Sequence, residues 1–89
     1  MKGYHIIAIG RVQGVGFRYY TQLKALELGL KGTVENKKDG SVEIFIEGAQ
    51  EALIPFLKWV HEGPESAHVV SLEYQEIVQN GFESFAIVR

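Results

Sequence analysis

Apolar residues recur at two different periods along this chain, and these periods predict strands and helices. Alternating or continuous apolar runs predict five strands. They are Tyr4–Ile9, Gly32–Lys38, Ser41–Glu47, Ala67–Glu76 and a closing strand that contains Phe85, Ile87 and Val88. Helical spacing predicts one helix that opens at about Phe17 and stops at Gly29, and a second from Ala49 or Gln50 to His61.

Each predicted helix carries an apolar stripe that is suited to packing on a sheet. The first stripe is Tyr19, Leu23, Leu26 and Leu30, with Thr21, Gln22 and Lys24 mostly outside it. The second stripe is Leu53, Phe56, Leu57 and Val60. Pro55 falls within the second helix, so this helix either begins late, with Pro55 in its first turn, or is bent there.

Asp39 and Gly40 predict a hairpin between the second and third strands. In the third strand Val42, Ile44 and Ile46 are expected to face the core, and Glu43, Phe45 and Glu47 to face outward. In the second strand Val34 and Asn36 share one face, while Thr33 and Glu35 share the other. A further turn is predicted at Gln79, Asn80 and Gly81.

The predicted order is β-α-β-β-α-β plus a final strand. A sheet with both helices on one face buries both apolar stripes at once. This is the ferredoxin-like α/β sandwich, an α+β fold with an antiparallel sheet, here with an additional C-terminal edge strand. We expect residues 1–89 to form a single domain, with the first strand in the middle of the sheet.

Composition narrows the function classes. The 89 residues include no cysteine and carry a formal net charge of -2. Disulfides and thiolate chemistry are therefore excluded, and the charge balance argues against general nucleic-acid binding. No apolar run approaches the length of a membrane span, and no signal-peptide segment precedes the first strand. We expect a cytoplasmic monomer with no nucleic-acid or membrane partner.

The segment from Gly10 to Arg18 joins a predicted strand to a predicted helix and contains three glycines. Gly14 and Gly16 allow the backbone to curl, so that several N–H groups point at one spot. The helix N-terminus adds partial positive charge there, and Arg18 adds a planar pair of donors. These features predict a pocket for an anion, most naturally a phosphoryl group. The alternative is a glycine-rich turn beside a solvated arginine.

Few other residues suggest chemistry. His5, His61 and His68 have no metal-ligand spacing, so no metal site is expected at them. We interpret Glu43, Glu47, Glu51, Glu62 and Glu65 as solvated. Asn36 is a turn former or a satisfied polar group in the ordinary case. If the first and second strands are neighbours, however, its amide reaches the anion pocket.

The Gly10–Arg18 segment resembles the G-x-V-Q-G-V-x-F-R signature of the acylphosphatase family. A second family pattern is matched by Gly32-x-Val34-x-Asn36-x-x-x-Gly40-x-Val42, with Gly48 in place, and the resemblance spans nearly the whole chain. Thr33, Glu35 and Ala49 depart from the residues that are common in the family at these places. We expect them to affect the outer sheet face and the rate modestly.

This resemblance implies hydrolysis of a small acyl phosphate to a carboxylate and inorganic phosphate, without metal or organic cofactor. It implies that Arg18 binds phosphate and that Asn36 orients the attacking water, which attacks directly without a phosphoenzyme. Phosphate-binding backbone amides are implied at Val12, Gln13, Gly14, Val15, Gly16, Phe17 and Arg18. Tyr19 and Tyr20 are near enough to meet an acyl group, but core or rim packing is favoured.

Two other functions remain open at this point. One is a phosphate- or acyl-phosphate-binding module without turnover, of the kind embedded in a larger carbamoyl-transfer protein. The other is a ferredoxin-like nucleic-acid-binding domain, for which Phe45 would supply a stacking residue on the open sheet face. The charge balance argues against the second alternative.

Overall fold

A computed structural model of the chain describes residues 2–78 and 80–89. Its elements are β1 (Lys2–Arg11), α1 (Phe17–Glu27), β2 (Lys31–Asn36), β3 (Val42–Gly48), α2 (Gln50–Glu62), β4 (His68–Ile77) and β5 (Phe85–Val88). The strands form a five-stranded sheet in the order β4-β1-β3-β2-β5. The predicted α+β sandwich with the ferredoxin-like order of elements is confirmed.

The C-terminal strand lies at an edge of the sheet, as predicted, but its direction differs from the prediction. β5 pairs with β2 in parallel, from Gly32 opposite Phe85 to Glu35 opposite Val88. The pairs β1–β3, β1–β4 and β2–β3 are antiparallel. The chain turns back after β4, so β5 runs in the direction opposite to β4. This direction is parallel to β2, and the sheet is therefore mixed.

β1 is an interior strand, as its apolar pattern predicts, but it is not a neighbour of β2. β3 lies between them, with Ile44 opposite Ile6 on one side and opposite Val34 on the other. The strand adjacency on which the prediction for Asn36 depended is therefore wrong. Asn36 reaches the predicted loop by another route, which is described with the candidate site.

The core lies between the sheet and the two helices. α1 packs on β2 and β5, and α2 packs on β1, β3 and β4. Fully buried strand residues include Ile6, Ala8, Val34, Val42 and Ile44, and helical partners include Phe17, Ala25, Leu53, Phe56 and Val60. Neither described helix is long and apolar enough to cross a membrane.

The predicted apolar stripe of α1 is wrong, apart from Leu30, which follows the helix and is buried. Tyr19, Leu23 and Leu26 are 55%, 44% and 55% exposed, whereas Phe17, Thr21 and Ala25 form the buried face. Phe17 sets this phase because the preceding loop places its ring in the core near Trp59, at a centroid distance of 6.2 Å. At about 100° per residue, Tyr19 then lies on the opposite side of the helix.

The end of α1 is as predicted. Gly29 has φ 71°, and its N–H donates to the carbonyl of Leu26 at 3.1 Å. The N–H of Leu30 donates to the carbonyl of Ala25 at 2.8 Å. These two bonds are the Schellman pattern that terminates a helix on a glycine.

The first residue of α2 tests the prediction of a late helix start at Pro55. The helix begins at Gln50, so Pro55 lies in its interior and a late start is wrong. Pro55 lacks the N–H that would bond to the carbonyl of Glu51, four residues earlier. Leu53, Phe56 and Val60 are buried as expected. Ala49 is the N-cap and makes no side-chain cap bond, because alanine has no polar side-chain atom.

The predicted hairpin is present, with a loop one residue longer than Asp39-Gly40 alone. The Lys37 N–H donates to the Ser41 carbonyl at 2.8 Å, and the Gly40 N–H donates to the Lys37 carbonyl at 3.1 Å. Gly40 has φ 94°, and no other residue type has positive φ in the described chain. A three-residue loop with a left-handed glycine fits this pattern, and the Asp39 carboxylate accepts from Ser41 to support it.

Two of the five glutamates interpreted as solvated are not. Glu47 is 3% exposed, and its two carboxylate oxygens accept the N–H groups of Asn80 at 2.7 Å and Phe82 at 2.8 Å. These bonds lie beside the predicted turn at residues 79–81, of which Gln79 is outside the described residues. Burial of Glu47 is possible because the carboxylate is hydrogen-bonded on both oxygens.

Glu43 is the second exception. Its Oε2 lies 2.8 Å from Nε2 of His5, and its Oε1 lies 3.4 Å from Nζ of Lys37. The hydrogen bond from His5, assisted by the Lys37 charge, lowers the pKa of the Glu43 carboxyl. His5 therefore has an acidic partner on the outer sheet face, which the sequence analysis did not identify.

Candidate active site

The loop between β1 and α1 has the conformation that its glycines predict. Gly14 has φ 73° and Gly16 has φ 77°, a region that residues with a Cβ rarely adopt. A Cβ on Gly14 would meet no atom within 4 Å, so the backbone angle alone requires glycine there. Gly16 is the N-cap of α1, and the first turn of this helix carries no acidic residue. The partial positive charge of the helix end is therefore not neutralised locally.

The loop opens onto a cavity of about 220 Å³ at the end of the sheet. The residues that line this cavity are Val12, Gly14, Gly16, Phe17, Arg18, Tyr19, Asn36, Ile87 and Arg89. All but two of the predicted phosphate-binding or catalytic residues, Gln13 and Val15, thus line one cavity. Gln13, Val15 and Tyr20 do not line it; Val15 packs against the core instead.

Arg18 lies in the first turn of α1 and keeps most of its donors unused. Its Nη1 lies 3.4 Å from the carbonyl oxygen of Val88, which is a long hydrogen bond. It forms no ion pair with a residue in the described parts of the chain. The guanidinium is therefore tethered at the cavity and still has donors available for an anion.

Asn36 ends β2 on the face that points toward the helices. Its Oδ1 is buried and has no hydrogen-bond partner among the described residues. Burying an unpaired amide oxygen costs about 1–3 kcal/mol, so folding alone does not favour this arrangement. Asn36 also lines the cavity, so an acceptor without a protein partner among the described residues lies beside this space.

The Gln13 side chain connects the loop to the hairpin, a role that was not predicted. Its Nε2 donates to the carbonyl oxygen of Lys37 at 2.7 Å and to that of Ser41 at 2.8 Å. These bonds reach across the end of β3 and fix the loop against the turn that follows Asn36. They explain how Asn36 shares a cavity with the loop although β1 and β2 are not neighbours.

The sequence gives little signal for this contact. Gln13 is the one amide side chain in the Gly10–Arg18 segment, and it was expected to contribute only its backbone N–H. Its partners lie 24 and 28 residues away, and finding them requires the strand order β1-β3-β2.

The cavity has a distinct chemical character. Among the described residues, its lining side chains include two arginines and no Ser, Thr, Cys, His, Asp or Glu. Tyr19 supplies a phenol, but its side chain is 55% exposed at the rim. In the described residues, no group of three or more His, Cys, Asp or Glu side chains is arranged to hold a metal ion. The described lining therefore combines two guanidinium groups with one neutral amide.

The glycine loop, Arg18 and Asn36 around one cavity agree with the family signature in the sequence. The sequence profile of the acylphosphatase family matches residues 4–87. This chain belongs to the acylphosphatase family. It is 47% identical over 88 residues to the acylphosphatase of Pseudothermotoga lettingae, with 99% of each chain covered. It is 43% identical over 90 residues to that of Methylococcus capsulatus, covering 100% of this chain and 98% of the relative.

Solved structures give the same result for the fold. The crystal structure of acylphosphatase from Bacillus subtilis superimposes with a TM-score of 0.97 at 42% identity, and both chains are covered completely. Full-length HypF in its phosphate- and nucleotide-bound form matches with a TM-score of 0.92 at 28% identity. That match covers 99% of this chain but 12% of HypF, so the same fold also occurs as a small part of a much longer chain.

Proposed function

We propose that the protein hydrolyses the carboxyl–phosphate bond of small acyl phosphates by direct attack of an oriented water on phosphorus. The buried, unpaired Oδ1 of Asn36 beside the glycine loop and Arg18 is the observation that carries this proposal. Family membership supports an acyl phosphate as the substrate. The water attack, and the absence of a metal or phosphoenzyme from the mechanism, are part of the proposal.

The loop and Arg18 hold the phosphoryl group in this mechanism. Backbone N–H groups from Val12 to Arg18 donate to its oxygens, aided by the N-terminus of α1. The Arg18 guanidinium adds parallel donors from the side of Val88, where it is already tethered at 3.4 Å. These contacts offset the negative charge that otherwise repels a nucleophile.

Asn36 positions the nucleophile. Its Oδ1 accepts a hydrogen bond from water and directs a lone pair of that water toward phosphorus. The water oxygen forms the new P–O bond while the bond to the acyl oxygen breaks and its electron pair leaves on the carboxylate. A phosphoryl oxygen takes the proton, because no Asp, Glu or His side chain is among the described residues that line the cavity. Carboxylate is a good leaving group, so positioning and charge stabilisation suffice.

A comparison of substrates tests the proposal. Benzoyl phosphate is expected to release phosphate rapidly, whereas p-nitrophenyl phosphate is expected to be nearly inert under the same conditions. The monoester has a poorer leaving group, and no Asp, Glu or His side chain among the described lining residues can protonate it. Comparable rates for the two compounds would refute the water-attack mechanism.

The second candidate is a phosphate-binding module without turnover, and the match to a small part of HypF favours keeping it. Such a module binds phosphate at the loop but does not release phosphate from benzoyl phosphate. The same assay therefore separates the two candidates. Action as a monomer stays a prediction, to be tested by size-exclusion chromatography with light scattering. The cytoplasmic location stays a prediction, to be tested by cell fractionation.

A further inference from the structure

The cavity borders a second arginine that the proposed mechanism does not use. Arg89 lines it together with Ile87, which lies two residues earlier in the chain. β5 pairs in parallel with β2 as far as Glu35 opposite Val88. Continuing this register by one residue sets Arg89 beside Asn36, and the alternation of side chains puts both on one face of the sheet.

The charged side chains around the cavity are basic. In the parts of the chain that the structure describes they are those of Arg18 and Arg89, and no Asp or Glu side chain lines the cavity with them. Arg89 is exposed and takes part in none of the ion pairs found within residues 2–78 and 80–89. Its guanidinium is therefore free to turn toward an anion without breaking an existing pair.

We propose that Arg89 is a second anion-binding residue of this site and matches the site to tetrahedral anions that carry two negative charges. The inference rests on the proposed function only in assuming that a phosphoryl group occupies the cavity. Two guanidinium groups and a helix N-terminus balance a fully ionised phosphoryl group. A singly charged anion gains less from the second guanidinium, since the Coulomb energy scales with the product of the charges.

Binding of two anionic probes tests this inference without any turnover. Sulfate and methanesulfonate are both tetrahedral and carry two and one negative charges throughout the neutral pH range. Their dissociation constants follow from titrating the amide resonances of Gly14, Gly16 and Arg18 at constant low ionic strength. The wild type is expected to prefer sulfate, and Arg89→Gln to reduce this preference about fivefold. Arg89→Lys is expected to keep most of it, and added NaCl to weaken it.

Arg11→Gln is the matched control. Arg11 is also exposed and precedes the loop directly, but it does not line the cavity. This variant is expected to keep the sulfate preference within about twofold of the wild type, as for a distant screened charge. An equal loss in both variants would mean a general surface field, and no loss in Arg89→Gln would mean no contact; either result overturns the inference. Shifts confined to Lys37 and Lys38 would also overturn it.

The inference and the proposed function fail separately. If the preference for sulfate depends on Arg89 but no acyl phosphate is hydrolysed, the inference is supported and the proposed function is refuted. If benzoyl phosphate is hydrolysed but the preference for sulfate does not depend on Arg89, the proposed function is supported and the inference is refuted.

Discussion

The β2–β3 hairpin has a polar side chain with a buried oxygen at each end, and the two oxygens differ in their hydrogen bonding. At the end where Lys31 pairs with Glu47, both oxygens of the Glu47 carboxylate accept backbone N–H groups. At the end where Asn36 pairs with Val42, the Asn36 oxygen is buried and unpaired. One end uses a polar group to hold the chain together, and the other keeps a polar group available for a ligand.

The neighbours of each side chain show the same contrast. The Glu47 carboxylate holds the connection from β4 to β5 against the hairpin through hydrogen bonds of 2.7 and 2.8 Å from backbone N–H groups. Around Asn36 the short bonds belong to Gln13, which fixes the loop, while Arg18 makes one contact of 3.4 Å. The Gln13 amide, which fixes the loop, donates to two carbonyl oxygens. The Asn36 oxygen has no partner among the described residues, and Arg18 keeps most of its donors unused. Substitutions at the two ends should therefore separate activity from stability.

The largest effect on activity is expected from Asn36→Ala. An orienting hydrogen bond to water acts mainly in the transition state, so kcat should fall by about 10²-fold or more. Phosphate affinity should change little, and the free energy of unfolding should hold or rise because an unpaired buried group is removed. Steady-state kinetics, phosphate inhibition and urea unfolding measure the three quantities. Asn80→Ala, at an exposed asparagine, is the control. A collapse of phosphate affinity with kcat unchanged would make Asn36 a binding residue.

Arg18→Lys should be almost as damaging as Arg18→Ala, although it keeps the charge. Lysine offers no planar pair of donors and is more strongly hydrated, so kcat/KM should fall by about 30-fold in both variants. Part of the loss should appear in substrate binding, because the same oxygens are held before and during transfer. Thermal melting should show both variants folded. Near wild-type kcat/KM for the lysine variant would show that charge alone is sufficient.

Glu47→Gln should have the reverse effect of Asn36→Ala. The amide keeps the shape of the carboxylate but offers one acceptor oxygen in place of two charged ones. The free energy of unfolding should fall by about 2 kcal/mol, while kcat per folded molecule stays within about twofold. Glu73→Gln, at an exposed position on β4, should change neither quantity. A loss of kcat larger than the loss of folded protein would mean that the two ends of the hairpin are coupled.

Gln13→Met tests the connection between the loop and the hairpin, and it should lower both activity and stability moderately. Methionine fills a similar volume without the amide that bonds to the carbonyls of Lys37 and Ser41. A fall in kcat of about fivefold to tenfold is expected, with a loss of about 1 kcal/mol in unfolding free energy. Gln75→Met, at an exposed position, is the control. If kcat is unchanged, the loop holds its geometry without Gln13.

The sequence predicted the elements well where pattern and packing agree. Val42, Ile44 and Ile46 alternate and face the core, and Gly29 ends α1, because strand alternation and a left-handed glycine are local properties. The stripe of α1 was wrong because Phe17 is anchored by the loop before it, so a contact outside the helix sets its phase. The spacing of apolar residues within the helix carries no information about that contact.

The candidate site shows the same limit. The glycines, Arg18 and Asn36 were identified because a local motif and a family resemblance contain them. Gln13 and Glu47 were misjudged because their partners become neighbours only through the strand order and the connection to β5. A buried carboxylate and a solvated one have the same spacing in a strand, and only the approach of two backbone N–H groups distinguishes them.

The fate of the water oxygen tests the direct attack on phosphorus. The protein hydrolyses benzoyl phosphate in ¹⁸O-labelled water, and the phosphate, the benzoate and the intact protein are then examined by mass spectrometry. Direct water attack on phosphorus predicts one labelled oxygen in the phosphate, none in the benzoate, and no phosphorylated protein at any time during turnover. Label in the benzoate would place the attack on the acyl carbon. A phosphorylated protein that forms and decays at the rate of turnover would equally contradict the mechanism.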